Sequence, residues 1–222
     1  MRSPHEFFST IKVVAFDFDQ TLVDEQSLVR HRWQKTLENF SHMHPDLQKT
    51  FFSIFEAKGY KYKNHLDDTF CVLGLPEDYK DSLISSFRKE QGDKEYVNEY
   101  SREVIKLLKQ KGFRIGIITD GLKSYQEQRI VRAGFSELCD FIYYGDEHQK
   151  PDPAFFNMCI KEEGILPHEL LYVGDHLIKD IEGALAVGSI ACYIGNEQSV
   201  PLPLEVLSFT TMQHFYQWLE QK

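Results

Sequence analysis

Asp17 and Asp19 stand two residues apart at the end of the apolar run VVAF, and Thr21 follows two positions later. Two carboxylates delivered to one point serve a reaction that needs both. The plain alternative is a loop that ends a strand. Other apolar runs end in a similar way. FRIGIIT is followed by Asp120 and Gly121, with Thr119 as its last residue. FIYY leads to Gly145, Asp146 and then Lys150 in KPDP, and LLYV leads to Gly174, Asp175 and Asp180. Singly, each has a modest reading. Thr119-Asp120-Gly121 makes a good turn and helix cap, Lys150 a surface lysine, and Asp180 a first-turn carboxylate serving a helix dipole.

Taken together they describe a chemistry. Three carboxylates meeting without shielding repel one another. A divalent cation removes that repulsion. Mg2+ takes oxygen ligands and binds through one or two carboxylates plus substrate phosphate. A lysine and a threonine nearby are donors to phosphate oxygens. A metal, phosphate donors and spare carboxylates point to phosphoryl transfer, where the protein positions groups and neutralises charge.

For these residues to meet, the elements that carry them must align. Buried strands are expected at 11–16, 113–119, 141–144, 170–173 and 190–194, with 206–210 a sixth strand or an edge piece. Helical patterns at 96–111, 122–133, 153–163, 177–187 and 211–221 fill the gaps, several stopped by glycine. Alternating strand and helix predicts an α/β fold, a Rossmann-like parallel sheet wrapped by helices. In such a sheet ligands bind outside the C-terminal strand ends, where every residue named above lies.

Residues 23–95 break the rhythm. They are too long for a strand-to-helix connection and carry helical patterns of their own at 26–40, 45–58 and 78–91. They read as an inserted helical domain, with 1–22 and 96–222 forming the α/β core. The insert contains KGYKYKNH, 58–65, a basic and aromatic patch. It reads first as a solvated, partly packed surface and second as a substrate contact through Lys58, Tyr60, Lys61, Tyr62 or His65.

A hydrophobic fraction of 42% supports a sizeable core and argues against disorder. The net charge of −9, without a basic arm, argues against a nucleic acid polymer as partner, yet leaves room for a small anion in a locally positive pocket. Four scattered cysteines without a CxxC pair fit reduced thiols. MRSPHEFFST lacks the apolar core of a signal peptide, and no apolar run approaches bilayer length. The expectation is a cytoplasmic protein with no membrane partner, monomeric or homodimeric.

The chain resembles the haloacid dehalogenase superfamily, in its magnesium-dependent phosphatase branch. Four motifs occur in family order: Asp17-Phe18-Asp19-Gln20-Thr21, then Thr119, then Lys150 before a proline, then Gly174-Asp175 through Asp180. The resemblance implies Asp17 as nucleophile, forming an aspartyl-phosphate. It implies Asp19 as general acid and then base, with its backbone carbonyl on Mg2+. Asp17 and Asp175 are the implied side-chain metal ligands, with Asp180 in or just behind that shell. Thr119 and Lys150 are the implied phosphoryl holders, joined by the backbone N–H groups of Asp120 and Gly121. The insert takes the place of a helical cap, which closes over a small phosphorylated metabolite.

Gln20, Asp120 and the unpaired Asp180 depart from common family residues, which are glycine, asparagine and paired aspartates respectively. The side chain of Asp120 is expected to point away from phosphate. A phosphatase is preferred to a dehalogenase, because a departing halide needs no acid at the position of Asp19. A phosphomutase on the same fold and a catalytically silent binding protein are the alternatives.

Overall fold

The computed structural model describes residues 7–92, 94–195, 202–203 and 206–221. Residues 1–6, six of the ten in MRSPHEFFST, lie outside them. The chain divides into two compact units: Met1–Asp24 with Tyr96–Lys222, and Glu25–Glu95.

The first unit is built on six parallel strands: β1 (Val13–Phe16), β2 (Arg114–Thr119), β3 (Phe141–Tyr144), β4 (Leu170–Gly174), β5 (Ile190–Ile194) and β6 (Leu207–Phe209). Their order is β3-β2-β1-β4-β5-β6. This is the doubly wound order, whose direction reverses between β1 and β4 and opens a crevice there. The short run at 206–210 is thus a true edge strand.

Both sheet faces are covered, which is why the strands read as unbroken apolar runs. Val14 and Phe16 of β1 pack with Ile115, Ile117, Leu171 and Val173 on one face. Val13 and Ala15 lie on the other with Ile118, Leu170 and Tyr172. The register aligns Phe16 with Ile117 and with Val173. The next residues, Asp17, Ile118 and Gly174, therefore lie at one level across the three strands.

The helix expected from residue 96 starts at Ser101, because Tyr100 turns left-handed at φ 66° and holds residues 96–100 outside the helix. Residues 22–24 and 96–98 run side by side instead. Asp24 N–H donates to the Tyr96 carbonyl at 2.7 Å, and Asn98 N–H to the Leu22 carbonyl at 3.0 Å. The Asn98 side chain adds a bond to the Thr21 carbonyl at 2.9 Å.

The second unit is helical: α1 (Glu25–Asn39), α2 (Leu47–Lys58), α3 (His65–Leu73) and α4 (Lys80–Lys89). Helix α3 falls outside the helical patterns read from the sequence. Its nine residues leave little periodicity to detect, and it begins inside the KGYKYKNH patch. Its Leu66 and Phe70 join Leu37, Leu47, Phe51, Phe55 and Leu83 in a separate core. No helix among the described residues is long and apolar enough to cross a membrane.

Candidate active site

Asp17 is the first residue past β1. Its N–H donates to the Val173 carbonyl at 2.8 Å, so its backbone is held by the neighbouring strand. Its carboxylate is 2.7 Å from the ammonium of Lys150. The same ammonium is 2.7 Å from Asp180 and donates to the Tyr172 hydroxyl at 2.8 Å. Three donors on Lys150 thus meet three oxygens. The Tyr172 hydroxyl passes its own proton to the Ile118 carbonyl at 2.8 Å. Asp17, Lys150, Tyr172 and Asp180 are all buried.

Tyr172 escapes the sequence reading. Its only signal is a hydroxyl in an otherwise apolar strand, LLYV, two residues before Gly174. Asp180 lies in a six-residue π-helical turn, Leu177–Glu182, where its second oxygen accepts the His176 N–H at 2.9 Å. Such turns recur at functional sites because they re-aim one side chain without breaking the helix.

Burial pushes the Asp17 carboxyl well above the usual carboxylate range. Lys150 opposes that shift, and the carboxylates of Asp180 and Asp175 reinforce it. Burial alone would discharge Lys150, but Asp17, Tyr172 and Asp180 outweigh it and hold the ammonium charged. The site therefore carries more negative charge than Lys150 neutralises. Asp17, Asp175 and Asp180 each offer an oxygen, and these oxygens lie within 4.8 Å of one another. All are hard donors of the kind Mg2+ and Ca2+ take. The donor set and the excess charge both fit a divalent cation.

Gly174 makes room for this arrangement. A Cβ there would lie 2.4 Å from Asp180 Oδ2 and 2.5 Å from Asp180 Cγ. Asp180 is almost fully buried and has no free space to yield. Gly174→Ala is expected to destabilise the protein by about 1–3 kcal/mol, the usual cost of overpacking, measured as a shift in the urea unfolding midpoint.

Thr119 ends β2 and is buried. The carboxylate of Asp120 is turned to other partners. It accepts the Lys150 backbone N–H at 2.7 Å and the Lys179 ammonium at 2.9 Å. It thereby fixes the loop that carries Lys150. Gly121 N–H lies 3.4 Å from Thr119 Oγ1.

Asp19 is engaged by a different pair of residues. One carboxylate oxygen accepts the Gln126 amide at 2.6 Å, and the other is 2.7 Å from the Arg129 guanidinium. Gln126 and Arg129 come from the helix Lys123–Arg132 after β2. They too escape the sequence reading. Two polar residues three apart on a helix normally mark a wet face, and only the fold shows this face buried.

Gln20, next to Asp19, has φ 61°. This is the left-handed region, where a glycine costs nothing and a glutamine costs roughly 1–2 kcal/mol.

Within the second unit, the KGYKYKNH segment is tied down by its own contacts. Tyr60 donates to Glu25 at 3.2 Å and Tyr62 to Asp68 at 2.8 Å. Lys58 and Lys61 lie over the Tyr62 and Tyr60 rings. His65 is buried with Nε2 3.1 Å from the Gly59 carbonyl. His176 accepts a backbone N–H through Nδ1, and His148 is 3.6 Å from Asp152.

A family profile described as haloacid dehalogenase-like hydrolase matches residues 14–193. A glyceraldehyde 3-phosphate phosphatase of Pyrococcus abyssi is 31% identical over 80% of this chain and 79% of its own. Pyrophosphatase PpaX of Bacillus pumilus is 29% identical over 80% and 81%. The fold superposes on the hydrolase YfnB of Bacillus subtilis, a magnesium-bound structure, with a TM-score of 0.69 at 18% identity. That alignment covers 96% of this chain and all of YfnB.

Proposed function

The chain belongs to the haloacid dehalogenase-like hydrolase family, and on that premise we propose that it is a Mg2+-dependent phosphatase of small phosphorylated metabolites. The observation that carries this reading is the buried ammonium of Lys150 between Asp17 and Asp180, with Asp175 close by. An aspartate so placed is a nucleophile held at fixed orientation. The excess negative charge around it fits a cation, which would draw the substrate's phosphate, the electrophile, to Asp17.

Asp17, Asp175 and Asp180 would hold Mg2+, together with the backbone carbonyl of Asp19. When bound, the ion neutralises charge on the phosphate oxygens and on the attacking carboxylate. Asp17 attacks phosphorus, the bond to the leaving oxygen breaks, and Asp19 gives that oxygen a proton. Asp19 then takes a proton from water as the water oxygen attacks the aspartyl-phosphate. Inorganic phosphate leaves and Asp17 is regenerated. Lys150 and the Thr119 hydroxyl hold the phosphoryl oxygens, with backbone N–H groups at Asp120 and Gly121 as further donors. Residues 25–95 take the place in the chain of the family's substrate-selecting helical insert.

The relatives supply the substrates to try first: a three-carbon sugar phosphate and pyrophosphate. With 5 mM Mg2+ and p-nitrophenyl phosphate, the protein is expected to release phosphate. Excess EDTA is expected to stop release, and added Mg2+ to restore it. A well-folded protein inactive on p-nitrophenyl phosphate and on a metabolite panel would overturn the assignment in favour of a silent binding protein. A phosphomutase would interconvert isomers of a sugar phosphate with little net phosphate. Four free cysteines fit a cytoplasmic setting.

A further inference from the structure

Arg129 has 1% of its surface exposed and Gln126 has 2%. The guanidinium lies against the rings of Phe18 and Tyr125, 5.2 and 5.3 Å from their centroids. Burying a charge is expensive, and a buried ion pair stabilises a fold no better than apolar residues of the same size. The pairing of Arg129 with Asp19 therefore calls for an explanation beyond stability.

The Gln126 amide supplies one. Its nitrogen donates to Asp19 at 2.6 Å and to Thr119 Oγ1 at 3.1 Å, and its oxygen accepts from Arg129 at 3.0 Å. All its principal bonds are made, and their polarity fixes which way the amide faces. Turned over, its oxygen would meet a carboxylate and its NH2 a guanidinium. Since Thr119 Oγ1 accepts from Gln126, its own proton remains available to donate.

Gly121 admits this amide. A Cβ on Gly121 would lie 2.3 Å from Gln126 Cγ and 2.5 Å from Nε2. The absence of a side chain after Asp120 is what lets Gln126 reach both Asp19 and Thr119.

We propose that Gln126 and Arg129 are positioning residues that lock the carboxyl group of Asp19 to the hydroxyl of Thr119 at one fixed spacing. This inference rests on the phosphatase reading above. Thr119 holds the phosphoryl group and Asp19 serves its leaving oxygen. The amide between them sets how far the proton travels. When the O–H bond of Asp19 breaks and the proton passes to the leaving oxygen, the carboxylate left behind faces Arg129. When water attacks, that carboxylate takes a proton from the water, which restores the acid.

The test compares two aryl esters. p-Nitrophenyl phosphate has a good leaving group and needs little protonation; phenyl phosphate needs more. For Arg129→Met and Gln126→Met, kcat/KM with saturating Mg2+ is expected to fall about 100-fold on phenyl phosphate and less than about tenfold on p-nitrophenyl phosphate, the scale of a misplaced catalytic group. Arg129→Lys, which keeps the charge but not the fork, is expected to fall between wild type and Arg129→Met on phenyl phosphate. Should Arg129→Met not fold, Gln126→Met and Arg129→Lys carry the same comparison. Equal losses on both esters, with the wild type active on both, overturn the positioning role and leave the phosphatase assignment standing. A wild type inert on both esters removes the assignment and this inference together.

Discussion

Asp17→Asn is expected to abolish phosphate release while making the metal-free protein harder to unfold. The loss of turnover is expected to reach roughly 10^4- to 10^6-fold, the scale seen when a nucleophile acting with its partners is removed. The gain in stability follows from the electrostatics of the site. Burial and the carboxylates of Asp180 and Asp175 raise the Asp17 pKa against the opposition of Lys150. The folded state therefore binds that proton more tightly than the unfolded chain does. Stability falls as pH rises from the ordinary carboxylate range through the raised pKa. Asparagine carries no charge and escapes this loss, and Lys150 keeps Asp180 as a partner. At neutral pH in EDTA the variant is expected to melt above the wild type. Phosphate release and a melting curve on the same sample check both halves. A variant that retains turnover would sink the assignment of Asp17.

Lys150→Met moves both quantities down. Without the ammonium, Asp17 and Asp180 face each other buried, and the Tyr172 hydroxyl loses a donor. Breaking a buried pair by removing one partner costs about 3–5 kcal/mol, measurable by urea unfolding in EDTA. Mg2+ should recover part of that loss, because a cation at Asp17, Asp175 and Asp180 relieves the same repulsion and stabilises by mass action. Turnover is expected to remain at least about 10^3-fold down even at saturating Mg2+, since the donor proposed to hold the phosphoryl oxygens is gone. Full stability without metal would mean that the three carboxylates do not strain the fold.

The parallel sheet was readable from the chain because each strand is buried on both faces and so appears as an unbroken apolar run. The spatial order of the strands was less accessible. Local pattern says that β1 and β4 exist, but not that they are neighbours with a crevice between them. The strand-end residues Asp17, Thr119, Gly174 and Asp175 could be listed in advance because their backbone positions follow from the strands. Gln126, Arg129 and Tyr172 could not. Each reaches its partner through a long side chain from within a helix or strand, and nothing in sequence periodicity says that a polar helical face is buried. Helix α3 was hidden for a different reason. It is short, and its first residue, His65, is buried and bonded to the Gly59 carbonyl rather than exposed.

The paired segments 22–24 and 96–98 bear on how the two units came to share one chain. The insert leaves the first unit and returns to it through backbone hydrogen bonds that the first unit makes with itself. Its two ends are therefore neighbours whatever lies between them. Joining neighbouring ends with a longer or shorter segment changes the closure entropy only with the logarithm of its length. A junction of this kind behaves as a socket. Helical inserts of different size and composition are therefore expected to be exchangeable at Asp24 and Tyr96 with the register of β1 kept. The chemistry at the strand ends and the choice of molecule brought to it can then change by separate evolutionary steps.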